Sequence, residues 1–544
     1  MSVASAEGIP LPQAPALSGA DRVPPVRRVS PWQALALSLV FTLALFGIAF
    51  VDSVRQSPRV WWSLVGSGLA LLVWEAVLFG WAHRTGRTLT LGIALKKQHY
   101  VQACAQGSVL LYWGWHWPQV YESAHLIAAQ LVFAYAFDML LVWSRRDRYT
   151  LGFGPFPVVF SINLFLWFRP DWFHLQLVMV AIGFAAKELI RWTKDGRSTH
   201  IFNPSSFPLA VVSLALLATG MSDATWGKEI AITQFFPPQI YLWLFVIGLP
   251  GQYFFGVTTM TMSAVVSTYA FGLLYFAATG IYFFFDSYIP IAVFLGMHLL
   301  FTDPSTSPRT ELGRIFFGVV YGLSTVLLYE LLGAAGLPTF YDKLLQVPIM
   351  NLSIRAIDRA AGSSALRRFD PSVFGRSLAP RQRSLAMIAI WTVAFAIMSA
   401  AQGVGDTHRG QWVPFWQEAC TRDRPYACGY LASMQSRLCD AGSAWSCNEF
   451  GILQTELQVE GPGPAASLRA GCALGFLPAC ANQERMKHGG VTTLVSAPPT
   501  AEDYPVLLQG SKGPVTERTP TVLYARACDL GWQDACAHGA RPQP

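Results

Sequence analysis

The sequence has few charged residues for its length. Only 13% of its 544 residues are Asp, Glu, Lys or Arg, whereas 53% are hydrophobic. Soluble proteins carry about 25% charged residues. The deficit excludes an ordinary soluble domain and predicts an integral membrane protein. The 19 Trp and 36 Phe residues suit the aromatic belts at the two surfaces of a bilayer.

Motifs that would define several enzyme classes are also absent from the sequence. It has no Walker loop, no dinucleotide-binding glycine fingerprint, no C-x-x-C-H haem site, no H-E-x-x-H motif and no nucleophile elbow. These absences disfavour nucleotide-driven or hydrolytic chemistry. The net charge of +7 is spread over loops, so nucleic acid is not an expected partner. Residues 1–31 lack a basic start followed by an apolar core, and we expect no cleaved signal peptide.

Apolar stretches of spanning length predict an all-α, polytopic bundle embedded in the lipid bilayer. Each is near the roughly 20 residues that a transmembrane helix needs. They lie at 31–51, 60–82, 122–143, 151–168, 173–190, 204–221, 239–257, 258–284, 287–302, 313–335 and 385–402. A shorter stretch, 106–117, is interrupted by glycine and followed by proline, and we interpret it as re-entrant. The sequence thus predicts about ten to twelve spans.

The order of these stretches divides the chain into five parts. They are a disordered cytoplasmic N-terminus (1–30), a transmembrane domain (31–340), a basic cytoplasmic segment (341–384), a final span (385–402) and a cysteine-rich domain (410–540). Arginine and lysine cluster in loops such as 145–148 and throughout 341–384, which the positive-inside rule assigns to the cytoplasm. We therefore predict a multi-pass protein of a bacterial inner (plasma) membrane.

Eight of the nine cysteines follow the last predicted span and share one spacing. They form four C-x7-C pairs, which are Cys420 with Cys428, Cys439 with Cys447, Cys472 with Cys480, and Cys528 with Cys536. In three pairs a glycine follows the first cysteine by three residues, where it can end a helix in the left-handed conformation. A disulfide would then join two antiparallel helices across their turn. The spacing lacks the close cysteine pairs of zinc sites, so a metal centre is the weaker interpretation.

These pairs resemble cysteine-rich Sel-like helical repeats over residues 410–540. Disulfides form in oxidising compartments, so we expect this domain to be periplasmic or extracellular. Helical repeats of this kind present extended surfaces to other proteins. The resemblance therefore implies a small disulfide-bonded α/α repeat domain that binds a periplasmic protein partner.

Two polar motifs, each broken by proline, lie within the apolar sequence. The first is THIFNPSSF at 199–207, and the second is LFTDPSTSP at 300–308. Proline removes a backbone donor, and a span cannot leave backbone groups unpaired in lipid. The motifs therefore predict broken helices around a polar cavity lined by Asn203 and Asp303. Alternatively, each of these two residues caps the helix or turn that its proline begins.

Three stretches together resemble the RnfD/NqrB family of membrane subunits. They are THIFNP at 199–204, TDPSTSP at 302–308 and GRIFFGVVYG at 313–322. The resemblance covers about residues 140–340. It implies a bundle with two inverted repeats, belonging to a redox-driven sodium or proton pump and working with other membrane or redox subunits.

The same resemblance implies a flavin, including FMN joined to a threonine through a phosphoester bond. The family's attachment motif is Ser-Gly-Ala-Thr, and the closest stretch here is SDAT at 222–225, with Asp in place of Gly. Thr225 is therefore the candidate attachment residue, although the stretch can equally be an ordinary polar loop. Gly318 and Gly322 lie four residues apart on one helix face, where they allow either close helix packing or the approach of a cofactor.

Three acidic residues inside apolar stretches are candidates for an ion path. Glu75, Asp138 and Glu330 each fall within a predicted span, where a charge is costly and often marks ion movement. Together the features predict a membrane subunit of an electron-transport system, flavin-dependent and coupled to cation translocation. Two alternatives stay open. One is a transporter or channel without redox chemistry, and the other is a membrane-anchored scaffold that uses its helical repeat tail.

Overall fold

A computed structural model describes residues 26–194, 196–373, 378–401, 408–457, 462–488, 494–508 and 515–539. Most of the N-terminal segment predicted to be disordered, residues 1–25, lies outside the described residues. The bulk of the chain forms two α-helical parts, a membrane bundle and a disulfide-bonded tail.

The membrane bundle contains seventeen α-helices within the described residues. They are α1 Pro31–Ala49, α2 Asp52–Arg55, α3 Pro58–Arg84, α4 Lys97–His116, α5 Gln119–Glu122, α6 Ala124–Arg145, α7 Pro155–Asn163, α8 Phe173–Leu189, α9 Ser206–Thr219, α10 Gly227–Thr233, α11 Ile240–Phe255, α12 Thr258–Thr279, α13 Ile291–Leu295, α14 Glu311–Ala334, α15 Val347–Ala361, α16 Ser364–Arg367 and α17 Pro380–Ala400. Helix α13 continues as a π-helix over Gly296–Leu300.

Short β-strands in the loops of the bundle pair with one another. They are β1 Val26–Val29, β2 Leu89–Ile93, β3 Arg148–Leu151, β4 Arg191–Lys194 and β5 Arg197–His200. Strand β2 pairs antiparallel with β1 and parallel with β3, and β4 and β5 form an antiparallel hairpin.

Seven of the helices are long and apolar enough to cross a membrane. Three shorter apolar helices, 206–219, 240–255 and 291–300, lie among them. Many of the exposed side chains on these helices are large and hydrophobic, as in Leu43, Val73 and Leu274, which suits contact with lipid. The predicted all-α fold is confirmed, and the seven apolar helices, against ten to twelve predicted spans, are compatible with a multi-pass membrane protein.

The stretch 106–117 lies almost entirely within one continuous helix, and its interpretation as re-entrant stays a prediction. These residues form the second half of the 20-residue helix α4. Near the first turn of α4, the His99 ring lies next to Gly154, which precedes α7. Near the last turn, the Tyr112 hydroxyl donates to the Pro238 carbonyl, 2.6 Å away, before α11 begins. Helix α4 therefore runs through the bundle, and Gly114 is tolerated inside it because the Tyr121 ring packs where a Cβ would project.

The core of the bundle consists of two halves with the same packing order. The first half is α4, α6, α7, α8 and α9, and the second is α11, α12, α13, α14 and α15. In each half the first helix packs on the third, the second on the fourth and the fourth on the fifth. The third helix is short in both and gives way to irregular chain at Leu164 and Phe301.

The two halves run in opposite directions. The C-terminal end of α4 lies beside the N-terminal end of α11, where the Tyr112 hydroxyl donates a hydrogen bond to the Pro238 carbonyl. Tyr341 lies in the chain before α15, and Ser222 lies just after α9. The Tyr341 hydroxyl donates to Ser222 Oγ at 3.1 Å. Each contact joins the end of one helix to the start of its counterpart, which is the relation expected of inverted repeats.

Helix α15 lies beyond the predicted boundary at residue 341 and still packs on the bundle. The segment 341–384 was predicted to lie outside the transmembrane domain, yet its helix α15 packs against α9 and α14 as the fifth element of the second half. Val347, Met350 and Ile354 are buried there. Arg355 and Asp358 of the same helix contact the Thr193 carbonyl and the Arg309 amide at its far end. Charged residues in its last turns lower the mean hydropathy of α15, so a hydropathy scan does not select it.

The tail is a stack of short helices within the described residues. The helices are α18 Val413–Thr421, α19 Ala427–Asp440, α20 Ala444–Leu457, α21 Pro464–Ala473, α22 Leu477–Lys487, α23 Tyr504–Leu507, α24 Pro520–Asp529 and α25 Gln533–Gly539. Each of the pairs α18 with α19, α19 with α20, α21 with α22, and α24 with α25 meets at a tight turn.

The four predicted disulfides join these helix pairs, and all of them are confirmed. The bonds are Cys420 to Cys428, Cys439 to Cys447, Cys472 to Cys480, and Cys528 to Cys536. Gly442, Gly475 and Gly531 have φ of +97°, +95° and +93°, which confirms the left-handed turns between paired helices. The repeated spacing therefore reports a repeated structural unit, a helix pair closed by its own disulfide.

The tail docks on the loop 280–290 between α12 and α13. Phe285, with φ of +69°, stacks on the Trp416 ring at 5.4 Å and contacts Tyr430. A Cβ at Gly410 would lie 2.7 Å from the Phe285 carbonyl oxygen, so only glycine fits this approach. Burial at this contact raises the pKa of Asp286 to about 6, although Ser287 and Arg437 favour its charged form. The tail thus rests directly on one end of the bundle.

Candidate functional site

The structure brings the two proline-broken motifs into direct contact. Asn203 Nδ2 donates to the Leu300 carbonyl at 2.9 Å, and His200 Nε2 lies 2.9 Å from Asp303 Oδ2. His200 and Asn203 belong to the first half, whereas Leu300 and Asp303 belong to the second. The motifs are therefore partners across the interface of the halves, and we call the set His200, Asn203, Leu300, Asp303 and Asn351 the junction.

Asn351 of α15 completes the junction, and sequence reasoning missed it. Its Oδ1 accepts from the Asn203 amide at 3.1 Å, and its Nδ2 donates to the Thr306 carbonyl at 3.4 Å. It therefore bridges both motifs from a third segment. A hydropathy scan excludes α15 from the membrane domain, so the only available signal was an amide residue among its apolar positions.

Asn203 caps a helix, which is one of the two roles that the sequence left open. Its Oδ1 accepts from the backbone amides of Ser205 at 3.0 Å and Ser206 at 3.2 Å, which caps the start of α9. Its Nδ2 meanwhile satisfies the last carbonyl of the π-helix, Leu300. Asn203 is 4% exposed, so it forms part of a packed polar core and does not line an open channel.

Asp303 also caps its own turn and faces the other half of the bundle. Its Oδ1 accepts from the Ser305 amide at 2.9 Å, and its Oδ2 faces the His200 ring. The side chains of Asp303 and His200 are 21% and 17% exposed. This pair is therefore the partly accessible edge of the junction, whereas Asn203 and Asn351 are its buried part.

Side-chain amides donate hydrogen bonds to backbone carbonyls at the ends of both broken helices. Gln234 Nε2 donates to the Leu164 carbonyl at 2.6 Å, just as Asn203 does to Leu300. Gln106 Nε2 lies 3.4 Å from the Leu299 carbonyl and 2.6 Å from Ser161 Oγ of α7. Helix breaks within a membrane persist only where their freed backbone groups find partners, and these amides supply them.

A second amide network surrounds the first broken helix. Asn163, the last residue of α7, exchanges two hydrogen bonds with Gln130 of α6, at 2.8 and 3.1 Å. Gln176 of α8 joins them through the Gln130 oxygen at 3.0 Å and accepts from the Phe168 amide. Single glutamines in apolar sequence are the only sequence signal for this network.

The acidic residues predicted as an ion path do not share partners. Glu75 bonds to hydroxyls of α1, whereas Asp138 bonds to the Tyr149 hydroxyl and pairs with Lys187 at 3.6 Å. Glu330 is exposed near the end of α14. The structure therefore places these three residues at separate sites, each away from the junction contacts.

Thr225 does not fit a covalent flavin in this structure. Its side chain is 2% exposed, and its hydroxyl donates to the Ser222 carbonyl at 2.9 Å. The same oxygen accepts from the Gly227 amide at 3.3 Å. A phosphoester at this oxygen would remove the hydrogen bond to Ser222 and would need space that the buried side chain does not have. The stretch 222–225 is arranged as a packed loop.

Gly318 and Gly322 leave no room for a flavin ring. A Cβ at Gly322 would lie 2.7 Å from the Ala264 carbonyl of α12, and one at Gly318 would overlap the Met260 carbonyl. Helix α14 therefore lies directly on the backbone of α12. These glycines support close helix packing, and the flavin does not fit at any of its three candidate residues.

Comparisons with known proteins give no relative for this chain. No family model, no curated protein and no solved structure matches it.

Proposed function

We propose that the protein is a membrane subunit that moves a cation across the interface of its inverted halves. The observation that carries this proposal is the junction, where the end of one broken helix meets the other half. Inverted repeats with discontinuous helices place coupling-ion sites at such interfaces. The Asp303 carboxylate and the His200 ring are the partly accessible ionisable groups of the junction.

A proteoliposome flux measurement with Asp303→Asn tests the proposal. Asparagine keeps the oxygen that caps the turn at Ser305 and removes the negative charge beside His200. We expect Na⁺ or proton uptake to slow by about tenfold or more, equivalent to at least about 1.4 kcal/mol on the barrier. Asp171→Asn, which removes an exposed ion pair with Arg59 at 3.5 Å, is the matched control. Equal flux in both variants and the wild type would refute the role of Asp303.

Electron transport is the second candidate function, and the resemblance to the RnfD/NqrB family supports it. The two inverted halves agree with the bundle that this resemblance implies. Since the three flavin candidates are packed, a redox group would lie elsewhere or in a partner subunit. In the flux assay, uptake that requires an electron donor favours this role, whereas uptake without one favours a simple transporter. Flavin fluorescence of the denatured protein would show a covalent flavin.

We further propose that the tail binds an extended segment of a periplasmic protein. A cleft of about 1020 Å³ lies beside it, lined by aromatic rings such as Trp412 and Trp532 and by charged side chains such as Arg424 and Asp534. Next to the cleft, the tail already holds its own extended chain at 494–500. Asn482 exchanges two bonds with the Val495 backbone, at 3.0 and 2.8 Å.

Photocrosslinking in native membranes tests this binding. A photoreactive amino acid at Gln533, an exposed cleft residue, is expected to give a discrete crosslinked product with a second protein. The same amino acid at Thr421, exposed on α18 but outside the cleft, should give none. Identical products from both positions, or none from either, would contradict the assignment of the cleft.

A further inference from the structure

An oxygen-rich cluster lies between α1 and α3, which precede both inverted halves. Ser38 and Thr42 are one turn apart on α1, and both hydroxyls contact Glu75 Oε1 of α3, with Thr42 at 3.1 Å. Thr42 Oγ1 also lies 3.1 Å from the Ser38 carbonyl oxygen. Ser38 and Thr42 are fully buried and Glu75 is 6% exposed. Three side chains and one carbonyl therefore bring four oxygen atoms together inside the membrane helices.

The cluster has more acceptors than protons. Each hydroxyl carries one hydrogen, yet Thr42 Oγ1 faces both Glu75 Oε1 and the Ser38 carbonyl at the same 3.1 Å. The hydroxyl hydrogen can serve only one of these two contacts, and the Ser38 carbonyl also accepts the Thr42 backbone amide of helix α1. A positive ion or an additional proton would satisfy the surplus lone pairs.

Glu75 also has no basic partner among the described residues, unlike the buried acids Asp138 and Glu188. Asp138 pairs with Lys187 at 3.6 Å, and Glu188 pairs with Arg146. An uncompensated carboxylate within membrane helices is costly, so its charge calls for a neutralising cation. Carboxylate, hydroxyl and carbonyl oxygens are the ligands that hard cations prefer.

We propose that Ser38, Thr42 and Glu75 form a binding site for a monovalent cation, with Na⁺ as the ligand in competition with a proton. The Glu75 carboxylate supplies the charge, and the two hydroxyls and the Ser38 carbonyl supply the remaining protein ligands. The site is separate from the junction and does not depend on the cation path proposed there.

Carbodiimide labelling of the full-length protein in nanodiscs tests this site. Dicyclohexylcarbodiimide adds to protonated carboxyl groups in apolar surroundings, and a bound cation excludes the proton. We expect mass spectrometry to show labelled Glu75 in Na⁺-free buffer, with labelling slowed at least about tenfold by Na⁺ but not by choline. Glu75→Gln should remove the label at this position. Asp138, paired with Lys187, is the control carboxyl whose labelling Na⁺ should not change.

Ser38→Ala separates cation binding from a structural contact. It deletes one ligand, leaves the reactive carboxyl in place and removes no bulk beyond an oxygen. We expect Glu75 to be labelled in this variant, with about tenfold more Na⁺ needed for the same protection. Labelling of wild-type Glu75 that Na⁺ does not slow would identify a proton-binding carboxyl and overturn the cation site. Absence of labelling in every buffer would identify a buried helix contact and overturn it equally.

Discussion

Gly318→Leu is expected to prevent the membrane domain from folding. Gly318 lies where α14 rests on α12, and a Cβ there would meet the Met260 carbonyl, Ser263 Cβ at 3.0 Å and the Ala264 amide nitrogen at 3.1 Å. Two of these neighbours are backbone atoms, which cannot rotate away as a side chain can. Overpacking a core by even one methylene costs about 1–3 kcal/mol. A leucine adds four carbon atoms, so its cost approaches the whole stability of about 5–15 kcal/mol.

The measurement is the yield of monodisperse protein in detergent and its thermal midpoint. Gly333→Leu is the matched control, because Gly333 is exposed on the same helix and its Cβ would meet only the Thr339 methyl at 3.8 Å. We expect the control to resemble the wild type. A Gly318→Leu protein with wild-type yield and midpoint would mean that α12 and α14 are not in backbone contact, and space for a cofactor would again exist there.

The parts of the fold that depend on local sequence were predictable. Long apolar stretches identify α1, α3, α6, α12 and α14 because a span needs little besides length and hydrophobicity. The four disulfides followed from one repeated spacing, since a cysteine on each side of a tight helical turn comes close to its partner, as Cys428 does to Cys420 and Cys536 to Cys528. The disulfide inference uses only contacts between residues eight apart in the sequence. The inference of the spans uses no contacts at all.

The parts that depend on distant contacts were not predictable. Helix α15 has a buried apolar face but carries Arg355, Asp358 and Arg359 in its later turns, so a scan for hydrophobic runs assigns it to the cytoplasm. The contact of Asn203 with Asn351 joins residues 148 apart. No periodicity in a single sequence encodes such a pair.

In the candidate site, too, local features were predictable from the sequence and distant contacts were not. Asn203 and Asp303 were identified because proline marks a broken helix, which is a local signal. Their partners Leu300 and His200 belong to the opposite half in each case, and only the folded chain shows that the two motifs meet. The equivalent break in the first half, at Leu164, carries no adjacent proline and was missed, although Gln234 completes it in the same way.

Asn203→Leu is expected to be the most destabilising polar substitution in the junction. Leucine has a similar volume but neither donates nor accepts, so the Leu300 carbonyl loses its donor at 2.9 Å. The amides of Ser205 and Ser206 lose their acceptor, at 3.0 and 3.2 Å. Each buried polar group left unpaired costs about 1–3 kcal/mol, and several arise at once. We expect a large fall in thermal midpoint, with faster hydrogen exchange in the first turn of α9.

Two variants with smaller expected losses of stability provide a scale for the effect of Asn203→Leu. Ser205→Ala deletes only the hydroxyl that donates to Asn203 at 2.8 Å, and should lower stability by about 1 kcal/mol. Gln234→Leu removes the single donor to Leu164 at 2.6 Å in the other half and should cost more, because it leaves a buried carbonyl unpaired. The expected order of damage is Ser205→Ala, Gln234→Leu, Asn203→Leu. If Asn203→Leu proved no worse than Ser205→Ala, the junction would not be a bonded link between the inverted halves, and the cation path proposed through it would lose its structural basis.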